Sequence, residues 1–319
     1  MAKKLIITAD DYGLSKATNS AVLNAVQKGL VTSVHVLPNM VSEEDLKKLF
    51  STIQENELNC GIGVHFNHSD GPSILQRDNT LTSSDNGKYC FNSIYEMRHT
   101  RINSYDVALE LRAQFEKIAD IIGTENIDAF SSHYNIHYLD RNHLKIMKSF
   151  AIPYQIPMRT TSLWRHEKKR KGYKKYPGET PMPIACNGLR LFTKLKSEST
   201  QDLMFTLAKR KQMRAIKEKM RRKGIKLPSV TTGHWFGQPS AYALNWLILQ
   251  MERIHKRNLS VEVFTHLTDK TESLQTTYSS EERLKEYNVL TSEEVQKTFT
   301  KMSKTGNIEL SSYRSALIH

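Results

Sequence analysis

Residues 5–29 read LIITADDYGLSKATNSAVLNAVQKG, and the fold turns on how that stretch divides. Leu5 to Ala9 is an apolar run with no polar alternation, as expected of a strand covered on both faces. Ser15 suits an N-cap, Ala17, Ala21, Val22, Ala25 and Val26 form an apolar stripe at helical spacing, and Gly29 can stop that helix. The stretch is therefore one β/α unit. Its oddity is the adjacent pair Asp10 and Asp11 at the strand's end. Neighbouring carboxylates repel and avoid the interior unless something compensates.

The same order recurs. Strand-like runs are TSVHVLPNM from Thr32, CGIGVHFN from Cys60, IDAFSSH from Ile127, AIPYQIPMR from Ala151, SVTTGHW from Ser229 and LSVEVFTH from Leu259. Helical stretches begin at Glu43, Ser104, Arg141, Ala243, Ser279 and Ser292, and IELSSY from Ile308 is a terminal strand-like piece. Residues 67–93 read as loop, with SDGPS and SSDNGK as turn signals. Alternating strands and helices imply an α/β parallel sheet. Seven or eight units suit a distorted (β/α) barrel, with an open doubly wound sheet as the alternative. No GxGxxG or P-loop follows the first strand, which removes the main support for a nucleotide-binding version. One domain, 1–319, is expected, with a basic, mostly helical insertion at about 161–228.

The composition, 39% hydrophobic and 25% charged, fits a globular protein, and no apolar run is long enough to span a membrane. No secretory leader is visible, and three widely spaced cysteines without CxxC argue against a disulfide framework or a thiolate zinc site, so a cytoplasmic protein is expected. The net charge of +13 is concentrated in RHEKKRKGYKKYPGE from Arg165 and AKRKQMRAIKEKMRRKGIK from Ala208. The second reads best as a helix with a solvated basic face. No zinc finger, RNA-recognition signature or helix-turn-helix accompanies it, so nucleic acid is disfavoured as a partner. A homodimer stays open.

In a parallel barrel all strand C-termini share one face, which carries the site. Asp10, Asp11, His65, His133, Arg159, His234 and His266 sit at or near such ends. Each has a plainer reading. One acid could cap the next helix, and one histidine could be a satisfied core group. Together they point to a divalent ion, since one carboxylate with two imidazoles is a common open ligand set. His35 reads as core, His68, His137 and His143 read more plainly than the others, and Asp128 should lie at the opposite barrel end.

The ordered set TADDYGLS, GLVTSVHVLPNM, GIGVHFNHSDGPSIL, SSHYNIHYL and EVFTHLTD resembles the YdjC-like (ChbG-type) carbohydrate deacetylase family over nearly the whole chain. The resemblance implies a polysaccharide-deacetylase-like barrel that removes the N-acetyl group from an amino sugar or chito-oligosaccharide. It implies Asp11, His65 and His133 as ligands of one divalent ion, Mg2+ or Zn2+. It implies Asp10 as general base and His266 as acid or transition-state stabiliser. Arg159, His137 and Tyr12 are candidates for substrate contact, with Arg159 also able to orient a carboxylate, and Phe66, Trp235 and Phe236 could stack on sugar rings. The chain departs from the family at His266-Leu267-Thr268, where His-Pro-Gly is common, and at Tyr134, where a further histidine is common. Alternatives are a non-catalytic sugar- or metal-binding protein on the same barrel, a basic nucleic-acid-interacting protein, and a phosphoesterase, which would want more carboxylates or a second metal.

Overall fold

The computed structural model describes residues 3–85, 87–92, 102–138, 141–160, 215–232, 260–272, 279–306 and 308–318. The basic run from Arg165, the helix expected from Ala243, and His234, Trp235 and Phe236 lie outside the described residues.

The elements follow the anticipated alternation. They are β1 (Lys3–Tyr12), α1 (Lys16–Gln27), β2 (Ser33–Val36), α2 (Glu43–Glu55), β3 (Gly61–Phe66), the hairpin β4 (Thr82–Asp85) and β5 (Lys88–Phe91), α3 (Ser104–Ile122) and β6 (Ile127–Ser132). Then come α4 (Arg141–Ala151), β7 (Val230–Thr232), β8 (Ser260–His266), α5 (Ser280–Thr291), α6 (Glu293–Lys304), β9 (Ile308–Leu310) and α7 (Tyr313–Leu317). Ser15 caps α1 by accepting from Thr18 N, and the buried face is the predicted Ala17, Ala21, Val22, Ala25, Val26 stripe. Leu46, Leu49 and Ile53 bury α2 in the same way.

The sheet order is β6-β3-β2-β1-β8-β7, with β9 beside the start of β1, and every pair in it is parallel. The ring then bends round on single residues. Phe130 N donates to Pro157 O and Arg159 N to Phe130 O, Met158 N donates to Lys226 O, and Ser229 N donates to Ser260 O. The hydrogen bonding thus runs from β6 through 157–159 and 226 to β7 and β8, consistent with the distorted barrel expected from the sequence. The strand expected over Ala151–Arg159 shrinks to one bridge, Phe130 with Met158. Pro153 and Pro157 lack the donors a ladder needs. A second correction concerns 67–93, which contains an antiparallel hairpin with Asp85 opposite Lys88. The Asn-Gly in SSDNGK was its signal.

A large apolar cluster runs from Leu5 and Ile7 through Val34, Val64, Phe66 and Phe130 to Val263 and Phe299, and a smaller one joins Ile6 and Ala129 to Tyr313 and Ala316. The basic stretch ends on the large one. Residues 215–222 are helical, Met220, Ile225 and Leu227 are buried, and Lys217 donates to Ser229 O at 2.8 Å. Asp128 lies at the N-terminal end of β6, as expected. It accepts from Ser312 Oγ and from Tyr313 and Arg314 N, tying α7 to the sheet.

Candidate active site

The acid pair is accommodated by a break in β1. Ala9 pairs with Val34 but Tyr12 with Val36, so β1 carries one extra residue there. Asp11 has φ +67, a left-handed conformation that costs a non-glycine residue about 1–3 kcal/mol. In a regular strand, consecutive side chains point to opposite faces. The bulge lets both acids reach the strand-end mouth.

Asp10 and Asp11 are both buried and receive separate cations. Arg159 grips Asp10 with two bonds, Nη1 to Oδ2 at 2.7 Å and Nη2 to Oδ1 at 2.8 Å. Arg283 of α5 donates to Asp11 Oδ2 at 2.8 Å. Burial alone would raise both carboxyl pKa values. Arg159 outweighs it for Asp10, and His133 with Arg283 outweighs it for Asp11, so both stay ionised well below the usual carboxylate range. Arg159 is itself anchored through Nε to Glu262 Oε1 at 2.9 Å, and Glu262 accepts from Thr8 and Thr231 hydroxyls.

The remaining oxygen of Asp11 is distinctive. Among the described residues, Oδ1 is buried and accepts no well-formed hydrogen bond. It lies 3.0 Å from His133 Nδ1 and 3.4 Å from His65 Nε2. The three donor atoms lie within 4.8 Å of one another. Such spacings suit ligand atoms each about 2.1 Å from a shared ion. Each imidazole is also oriented from behind, His65 Nδ1 by Ser131 Oγ at 2.6 Å and His133 Nε2 by Asp70 Oδ2 at 2.9 Å. Asp10, His35 and His65 form a second cluster of this size. Arg159 already neutralises its carboxylate, and Ser131 Oγ fills the gap between its two imidazoles, 2.6 Å from each Nδ1. The first cluster is the one that fits an ion.

Asp70 is positioned by a knot in the loop after β3. Asn67 Oδ1 accepts from Ser69 and Asp70 N, while Asn67 N donates to Gln114 of α3 at 2.9 Å. Glu110, one turn earlier on α3, accepts from Ser73 Oγ and Ile74 N.

A small cleft opens on this cluster. Asp10, His65, His133, Arg159 and His266 line it, together with Tyr134, Asn135 and Phe264. Tyr134 and Asn135 have φ +52 and +53, and the Tyr134 ring lies 4.1 Å from that of His133. His266 closes β8 directly opposite Asp10 in the sheet register. Burial pushes its pKa down; Asp11 opposes that and Arg283 reinforces it, for a value of about 3. Its ring is thus neutral here, unlike the near-neutral titration expected of a proton donor. Around His133 burial is outweighed by Asp11 and Asp70, which push it up to about 10. A proton on that ring stands where a cation would.

The structure brings Asp10, Asp11, His65, His133, Arg159 and His266 together. Tyr12 and His137 lie elsewhere. Tyr12 is fully buried and its hydroxyl donates to Asp45 O at 2.9 Å, so its ring packs under α2. His137 is fully buried with Nδ1 on Ser132 Oγ, inside the wall. Phe66 is also core, 5.2 Å from Phe130. His35 is buried as expected, yet it touches the site, with Nδ1 3.3 Å from Asp10 Oδ1 and burial holding its pKa down at about 4. Sequence reasoning missed Ser131, Asp70, Glu262 and Arg283. A glutamate inside the apolar run SVEVF was a readable sign for Glu262. For the others no local pattern existed.

Comparison with known proteins gives the family. A model described as YdjC-like protein matches residues 4–301. The chain belongs to the YdjC-like family. Curated relatives of this YdjC-like chain include a carbohydrate deacetylase of Clostridium beijerinckii, 27% identical over 49% of the chain and 59% of that protein. Another, from Enterococcus faecalis, is 30% identical over 50% and 59%. A chitooligosaccharide deacetylase of Proteus mirabilis is 26% identical over 51% and 61%. The matched stretch thus spans about three fifths of those relatives. A crystal structure from Enterococcus faecalis V583, of a candidate cellobiose-phosphate cleavage protein, shares the fold at 20% identity, with full coverage of both chains and a TM-score of 0.66.

Proposed function

We propose that this YdjC-like protein is a metal-dependent N-deacetylase acting on an N-acetylated amino sugar or chito-oligosaccharide. The observation that carries the reading is Asp11 Oδ1, a buried anionic oxygen facing two oriented imidazole nitrogens beside a second, separately neutralised carboxylate. The names of its relatives favour the same chemistry.

Asp11, His65 and His133 would hold one divalent ion. Two nitrogen donors favour zinc, whereas magnesium prefers more oxygens. Such an ion supplies Lewis-acid activation of water and of the acetamide carbonyl. The remaining work falls to the chain. Arg159 keeps Asp10 ionised, and each Asp10 oxygen has a lone pair beyond the one Arg159 engages, so the carboxylate can take a proton from attacking water. The C–O bond forms, the C–N bond breaks, and the proton removed from water must end on the leaving nitrogen. His266, neutral and across the register from Asp10, is placed to hydrogen-bond that nitrogen or relay the proton. Phe264 and Tyr134 offer rings to a sugar face. We also propose a cytoplasmic location, in keeping with three widely spaced cysteines and no CxxC. Among the described residues no helix is long and apolar enough to cross a membrane.

The test is acetate release from a panel of N-acetylated sugars, by protein stripped of metal and refilled with zinc, magnesium, manganese or cobalt. Release that returns with one ion supports the reading. Tight ion binding without release from any substrate would make the protein a binding module.

A further inference from the structure

We propose that Ser131 is a positioning residue that fixes the tautomer of His65 and so aims Nε2 of that ring at the ion position. The proposal rests on the metal site proposed above. Ser131 is fully buried in β6 and sits opposite His65 of β3 in the parallel register. Its Oγ lies 2.6 Å from His65 Nδ1 and 2.6 Å from His35 Nδ1. His35 Nδ1 also lies 3.2 Å from Arg159 Nη2.

The direction of every proton follows from one end. Besides Ser131, two groups approach His35 Nδ1: Asp10 Oδ1, an acceptor, at 3.3 Å without a well-formed hydrogen bond, and Arg159 Nη2, which can only donate, at 3.2 Å within hydrogen-bond geometry, so Nδ1 meets Arg159 with its lone pair. That leaves His35 Nδ1 with nothing to give Ser131, and the hydroxyl directs its single proton to it. Ser131 Oγ then has only lone pairs to offer His65. The hydrogen of His65 therefore sits on Nδ1, and Nε2 keeps a lone pair toward Asp11 Oδ1, 3.4 Å away. The series Arg159–His35–Ser131–His65 thus links the arginine that holds Asp10 to the face of a metal ligand. His133 is set the opposite way round. Asp70 accepts from its Nε2–H, which leaves Nδ1 as the ion-facing atom. The two ligands need opposite tautomers, and each has its own partner behind the ring to impose one.

The experiment uses metal-free, full-length protein with 15N-labelled histidine. Long-range 1H–15N correlation reads the tautomer, and His65 is assigned by the signals lost in H65Q. Wild type should show His65 as Nδ1–H. In S131A, folded by circular dichroism, that preference should be lost and zinc Kd by calorimetry should weaken about 10–100-fold. An Nε2–H pattern for His65 in wild type overturns the proposal. So does an S131A protein whose His65 tautomer or zinc affinity is unchanged. If S131A does not fold, the wild-type spectrum decides alone. A wild type with the expected tautomer that binds no ion would sink the metal reading and leave the hydrogen-bond series standing.

Discussion

At the scale of single residues, two adjacent acids are held by different cations, and the duties proposed for them differ accordingly. Asp11 turns one oxygen to Arg283 and the other to two imidazoles, whereas Asp10 is engaged on both oxygens by Arg159. Asp11→Ala should abolish ion binding in calorimetry. Asp10→Asn should bind the ion normally and lose turnover by about 10²–10⁴-fold, the usual weight of a general base. Near-normal acetate release from Asp10→Asn would refute the assignment of base. His133 gives a pH prediction. Its pKa rises from 6.5 unfolded to about 10 folded, so its bound proton stabilises the metal-free protein fully below about pH 6.5. That contribution fades as the pH climbs toward 10. Thermal melts in chelator should show a midpoint falling across this window, and His133→Gln should flatten the trend.

At the scale of elements, strands bring the site together and loops finish it. Gly63 of β3 shows how closely the strands approach. A Cβ there would sit 2.3 Å from His35 Cδ2 and 2.7 Å from its Nε2. His35 cannot swing aside without breaking its contacts to Ser131 and Asp10. Gly63→Ala should therefore cost about 1–3 kcal/mol in denaturant unfolding, the range for overpacking a tight interior. The strand-and-helix order, the acids of β1 and the histidines ending β3, β6 and β8 were all legible in the sequence, because period and position in a unit are local properties. Asp70 and Arg283 were not. Asp70 reaches His133 only because Asn67 and α3 fold its loop, and Arg283 lies 272 residues from the carboxylate it holds. Tyr12 misled because standing next to an acid pair does not put a ring in the mouth. The bulge that brings Asp11 round leaves Tyr12 in the core.

At the scale of the whole molecule, ion binding and folding should be linked. An ion that binds only the folded state adds RT ln(1 + [ion]/Kd), about 2.7 kcal/mol at one hundred times Kd. Wild type should therefore melt higher with zinc than with chelator, and Asp11→Ala should show no such difference. The barrel wall is also uneven. Across β1 and β8 seven consecutive residues pair, while Met158 and Lys226 are joined by one bond of 3.0 Å. Amide exchange at Met158 should accordingly outrun that at Ile7 and Thr8. The same unevenness bears on how such a barrel can change over time. Among the described residues, Met158 and Lys226 are far apart along the chain yet neighbours in the wall, joined by that one bond. A wall joined there by a single bond tolerates changes in the length of its connecting chain without unpicking a ladder, so new surfaces can grow beside the candidate site while its strands keep their register.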